Sequence, residues 1–74
     1  MDTTAIADGT IRLGQLLKLA GLVEVGGDAK AVLAAGRVRV NGEPEQRRGR
    51  QVRPGDVVAV DDQQVQVVAE TGNR

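Results

Sequence analysis

The residues best equipped for chemistry in this sequence are its arginines. Eight of the ten basic side chains are arginine. A guanidinium grips phosphate oxygens through planar, paired N–H donors, which an ammonium group cannot do. Nine bases fall between residues 12 and 53: Arg12, Lys18, Lys30, Arg37, Arg39, Arg47, Arg48, Arg50 and Arg53. Only Glu24, Asp28, Glu43 and Glu45 oppose them there. The flanks are acidic, with Asp2 and Asp8 before this stretch and Asp56, Asp61, Asp62 and Glu70 against Arg74 after it. A formal net charge of zero therefore conceals a basic centre between acidic ends, a distribution suited to a polyanionic partner.

Other chemistries are poorly supplied. The chain has no histidine and no cysteine, which removes the commonest general base, the commonest metal ligand, thiolate metal sites and disulfides. Asp61-Asp62 sits in a Gln-rich connection and reads as a polar turn, not as a magnesium site. No acid–base pair or nucleophile emerges, so no catalytic residue, metal ligand or cofactor is expected. Phe, Tyr and Trp are absent, so aromatic platforms for stacking single-stranded bases are missing. Any nucleic acid would be bound by charge and shape, with arginine planes as the strong stackers.

The elements that must carry these arginines follow from periodicity. Residues 1–9 are polar with scattered small apolar residues and are expected to be a flexible tail. Thr10-Ile11-Arg12 fits a short edge strand. Leu13, Leu16, Leu17 and Ala20 fall on one face of a helix that Gly21 ends. Gly26-Gly27 reads as a sharp turn, and Asp28 as the N-cap of a second helix. That helix carries Ala29, Val32 and Leu33 and stops at Gly36. In Arg37-Val38-Arg39-Val40 the period drops to two, so the valines face a core and the arginines face outward. Asn41-Gly42 is a strong hairpin signal. Pro44 marks the return strand as short or at an edge. Gln46 to Arg53 form a basic loop, and Pro54-Gly55 suits a type II turn. Val57–Val60 and Val65–Val68 read as a second hairpin across Asp61-Asp62-Gln63-Gln64. The prediction is an α+β fold of 74 residues, with two short helices packed on a small twisted antiparallel sheet. It divides into a tail at 1–9, a domain at 10–69 and a second tail at 70–74.

The segments Ile11-Arg12-Leu13 before Leu16-Leu17, Asp28-Ala29-Lys30, Ala35-Gly36-Arg37-Val38-Arg39-Val40-Asn41-Gly42 and Val52-Arg53-Pro54-Gly55-Asp56-Val57-Val58 resemble the S-four RNA-binding domain. That domain takes its name from the ribosomal small-subunit protein S-four. It also occurs in pseudouridine synthases, tyrosyl-tRNA synthetases and heat-shock proteins of the stalled large ribosomal subunit. The resemblance runs over about residues 10–69 and is strongest to small stand-alone bacterial members. It implies a helix–turn–helix-like αL motif against a sheet, and binding of structured RNA. Family contacts map onto Arg12, Lys30, Arg37 and Arg39, with Arg47, Arg48 and Arg50 where stand-alone members are often basic. Gly26-Gly27 stands where many members open helix two with Ser-Arg, so one phosphate-contacting arginine is missing.

The expected function is non-enzymatic docking of an arginine-rich face on structured RNA, ribosomal or transfer, with a ribosomal or RNA-processing protein as a further partner. The expected site is the whole basic set, Lys18 and Arg53 included. The chain is expected to be cytoplasmic, ribosome-associated and monomeric, with no membrane contact. The rival reading is a protein-interaction module that uses exposed strand edges. A sulfur carrier of the ubiquitin type would end in Gly-Gly, whereas this chain ends Thr71-Gly72-Asn73-Arg74.

Overall fold

Leu13, Leu16 and Leu17 are fully buried, as one apolar helical face requires. The computed structural model describes residues 2–7, 9–23 and 29–70. Within them, strands β1 (Asp2–Ile6) and β2 (Ile11–Arg12) precede helices α1 (Leu13–Leu19) and α2 (Ala29–Ala34). Strands β3 (Val38–Val40), β4 (Glu43–Pro44), β5 (Gln51–Val52), β6 (Val57–Val60) and β7 (Gln63–Ala69) follow. Gly21 ends α1 with φ +73°, and the Leu22 N–H reaches back to the Leu17 carbonyl at 2.9 Å. This left-handed stop is open to glycine at little cost. The turn expected at Gly26-Gly27 and the Asp28 cap lie outside the described residues.

Five strands form one sheet in the order β1-β7-β6-β3-β4, and β2 pairs with β5 in a second, two-stranded sheet. The core joins Leu13, Leu16, Leu17 and Leu33 of the helices to Val38, Val40, Val58, Val60, Val65 and Val67 of the sheet, with Val52 of β5. Period-two alternation holds in β3, where Val38 and Val40 are buried and Arg39 is exposed. The second hairpin is tighter than the sequence implied. Val60 pairs directly with Gln63, so only Asp61 and Asp62 turn, and Asp61 takes φ +54°.

Two expectations are corrected. The large sheet is mixed, not antiparallel, because β1 runs parallel to β7 from Asp2↔Val65 to Ile6↔Ala69. For the same reason residues 2–6 are not a flexible tail. Ile6 is 4% exposed and belongs to the core, and its carbonyl accepts the Glu70 N–H at 2.9 Å. The segment is polar because it is an edge strand that buries one large side chain. Its partner lies at the other end of the chain, where local periodicity cannot see it. Residues 71–74 of the predicted C-terminal tail lie outside the described residues.

The two recognisable turn motifs lock each other. Asn41 (φ +54°) and Gly42 (φ +85°) make the turn between β3 and β4, as a type I′ hairpin demands. The Asn41 side chain donates to Asp56 Oδ1 at 3.0 Å and accepts the Val57 N–H at 2.9 Å. Asp56 Oδ2 in turn accepts the Arg53 N–H at 3.0 Å, closing the turn around Pro54-Gly55. Burial works against the Asp56 charge, but the Arg53 N–H and the Asn41 amide outweigh it and hold the carboxyl below its ordinary range. The Asn-Gly and Pro-Gly-Asp segments are thus one structural unit.

Candidate nucleic-acid interface

The pairing of β2 with β5 sets Arg12 opposite Gln51. This brings the loop that ends in β5 against the start of α1. Arg12 occupies the N-cap position and makes no side-chain cap, so the first helical N–H groups need other acceptors. The loop supplies them. The Leu13 N–H donates to the Arg50 carbonyl at 2.8 Å and the Gly14 N–H to the Arg48 carbonyl at 3.0 Å.

Gly14 lets the loop come this close. A Cβ there would lie 2.6 Å from Arg48 Cγ and 3.3 Å from Cδ. The Arg48 side chain therefore crosses the first turn of α1 instead of projecting straight into solvent. It helps to line a groove of about 420 Å³ whose walls are Arg12, Gly14, Gln15, Lys18, Ala29, Lys30, Arg48 and Gly49. Four cations thus converge from β2, α1, α2 and the loop, and no carboxylate lies among these lining residues. Lys18 follows Gly14 by one helical turn and shares its face.

Beneath the loop sits Glu45, whose side chain is only 8% exposed. Its Oε2 accepts the N–H groups of Gln46 and Arg47 at 3.1 and 3.0 Å and the Arg47 Nε at 3.1 Å. Its Oε1 accepts Arg47 Nη2 at 3.3 Å and Arg50 Nη1 at 3.0 Å. These donors, led by the Arg47 guanidinium, hold the carboxyl at about 2, well below its ordinary 4.5. A buried carboxylate satisfied five times over is an organising centre, since leaving it unpaired would be costly. Arg47 and Arg50 are both paired with it, the Arg47 side chain remaining largely exposed.

The remaining arginines lie elsewhere. Arg37 forms an ion pair with Asp61, its Nε donating to the two carboxylate oxygens at 3.2 and 3.0 Å. That pairing raises the Arg37 pKa and lowers that of Asp61. Arg37 and Arg39 line a separate depression with Asp61 and Asp62, so the strand arginines and the groove do not share one surface pocket. Among the described residues Arg39 makes a long 3.5 Å contact, to the Gly42 carbonyl. Arg53 is exposed beside the Pro54-Gly55 turn.

Sequence reasoning passed over Gly14, Gln15, Gly49 and the part played by Glu45. Gly14 did leave a signal, because a glycine inside a helical pattern usually has a packing reason. Among the described residues no group of acids could hold a metal, and no helix is long and apolar enough to cross a membrane.

Comparison with known proteins decides the family. The S4 domain matches residues 4–68, from within β1 to within β7. The chain belongs to the S4 domain family. The match takes in β1, so this S4 domain begins earlier than the segment at 10–69 that carried the resemblance. One similar protein, from Bacillus subtilis, bears the name "Probable ribosome maturation protein RlbA". It is 51% identical over 51 residues, covering 69% of this chain and 72% of its own. An Escherichia coli relative is named "Putative RNA-binding protein YbcJ" and is 41% identical over 59 residues, covering 80% of this chain and 84% of its own.

Proposed function

We propose that this S4 domain is a non-enzymatic RNA-binding protein that docks the groove between α1, α2 and the arginine loop on structured RNA. Ribosomal RNA, or an RNA handled together with the ribosome, is the proposed target. The observation that carries this reading is the convergence of Arg12, Lys18, Lys30 and Arg48 on one groove, with no acid among the described residues that line it. Cations drawn from four separate elements occupy fixed positions, so they match spaced phosphates better than a single loose basic run would. The names of the two relatives, a ribosome maturation protein and an RNA-binding protein, favour the same class of partner.

Docking is electrostatic and shape-based. Guanidinium and ammonium groups contact phosphates, and with no aromatic side chain there is little means of reading splayed bases by stacking. Arg39 and Arg53 are exposed and lie outside the groove lining, so they are left out of the docking face. Arg37, Arg47 and Arg50 serve the fold first, because each already holds a carboxylate.

The test is a gel-shift series at low salt with ribosomal RNA, transfer RNA and duplex DNA, using wild type and a double variant, Arg12→Glu with Arg48→Glu. Preferential RNA binding that the variant loses supports the proposal. RNA binding that the variant retains in full removes the groove from it. Absence of RNA binding by the wild type at low salt overturns it.

A further inference from the structure

The arginine loop carries Arg47, Arg48 and Arg50 within four residues, yet only Arg48 lines the groove. Three like charges so close together would spread apart if nothing held them. Glu45 holds two of them. It gathers Arg47 across both oxygens and Arg50 on Oε1 and fixes the loop backbone through the N–H groups of Gln46 and Arg47. Its own N–H is tied to the Val38 carbonyl of β3 at 3.0 Å, so the anchor belongs to the sheet. The Arg50 N–H closes the turn onto the Arg47 carbonyl at 3.3 Å. Arg48 is left at the apex, its carbonyl accepting the Gly14 N–H and its side chain lying against Gly14.

We infer that Glu45 is a positioning residue for RNA recognition: an acid that presents Arg48 to the groove by pairing with Arg47 and Arg50 and fixing the loop between them. The inference rests on the RNA-docking reading and adds to it a residue of the wrong charge. It makes a prediction opposite in sign to simple electrostatics. Neutralising an acid next to a polyanion site ought to strengthen binding. Here it weakens binding, because the loop releases Arg47 and Arg50 and Arg48 loses its fixed place.

The experiment compares wild type with Glu45→Gln, Gly14→Ala, Arg48→Ala and the double variant of Glu45→Gln with Arg48→Ala. Amide hydrogen exchange is followed by NMR at Leu13 and Gly14, whose N–H groups report the loop carbonyls, and at Val58 and Val67 in the core. Affinity for a labelled RNA hairpin is measured on the same samples. In Glu45→Gln, exchange at Leu13 and Gly14 should rise at least about tenfold more than at Val58 and Val67, which report the global loss of stability, and RNA affinity should fall about tenfold. Adding Glu45→Gln to Arg48→Ala should cost little more, as expected of residues that act as one unit. Gly14→Ala, which displaces Arg48 without touching Glu45, should lower affinity while the core amides keep their protection. Unchanged exchange at Leu13 and Gly14, or RNA binding as tight as or tighter than wild type in Glu45→Gln, overturns the inference. A wild type that binds no RNA overturns the docking reading instead, and the exchange pattern still decides whether Glu45 orders the loop.

Discussion

A salt titration counts the cations that an RNA engages. Each phosphate neutralised releases condensed counterions, so the logarithm of affinity falls linearly with the logarithm of salt concentration. The groove offers four cations, Arg12, Lys18, Lys30 and Arg48. Four contacts give a slope of roughly −3 on single strands and roughly −3.6 on duplex. Between about 50 and 200 mM salt this amounts to a loss on the order of a hundredfold. If all nine bases between residues 12 and 53 took part, the slope would be roughly −6 to −8 and the loss roughly 10⁴- to 10⁵-fold. The gap is wide enough to read by fluorescence anisotropy of a labelled RNA hairpin across a potassium chloride series. Alanine at Arg12, Lys18 or Arg48 should each reduce the slope by about one. Alanine at Arg37 should leave it nearly unchanged, because that guanidinium already holds Asp61. A wild-type slope of about −6 or steeper, or a full unit lost with Arg37, would refute the assignment of four groove contacts.

Three further outcomes follow from the fold. Glu45 titrates at about 2 in the folded chain against an ordinary 4.5. A depressed folded value stabilises fully above the ordinary one and ceases to do so as pH falls through the folded one. Glu45→Gln should therefore melt below wild type at neutral pH and converge on it as pH drops from about 4.5 to about 2, followed by circular dichroism. Asp56 and Asp61 are shifted the same way and leave the variant some acid sensitivity. Asn41→Ala loses two side-chain hydrogen bonds and places alanine at positive φ, for about 2 kcal/mol in urea unfolding. Asn41→Gly keeps the turn and should lose less. Ile6→Ala should cost about 2–4 kcal/mol, whereas a free N-terminal tail would show no change.

The helices and the valine strands were legible because their signals are local. Leucines at helical spacing and valines at alternate positions state which face is buried before any partner is known, and Gly21 and Gly36 mark where the helices stop. The Asn41-Gly42 and Pro54-Gly55 turns were equally plain, since few other residues tolerate their dihedral angles. β1 was missed because its reason to be a strand lies in β7. The candidate site was legible as a list of charges but not as a grouping. Nothing in the order Arg37, Arg39, Arg47, Arg48, Arg50 says which arginine meets an acid. That depends on the Asp61 turn falling beside Arg37 and on Glu45 being buried under the loop. Gly14 had the clearest overlooked signal, a residue without a side chain where a helix would otherwise favour one.

The parallel pairing of β1 with β7 also sets the order in which this chain can be completed during synthesis. β1 leaves a ribosome before β7, but it has no sheet edge to join until β7 has been made and has folded back on β6. Until then its backbone donors and acceptors are served by water, and Ile6 has no core to enter. The hairpins close over short loops, whereas this last strand closes a loop of nearly the whole chain, the step with the highest entropic cost. β1, made before its partner, is thus the last strand of the sheet to be placed.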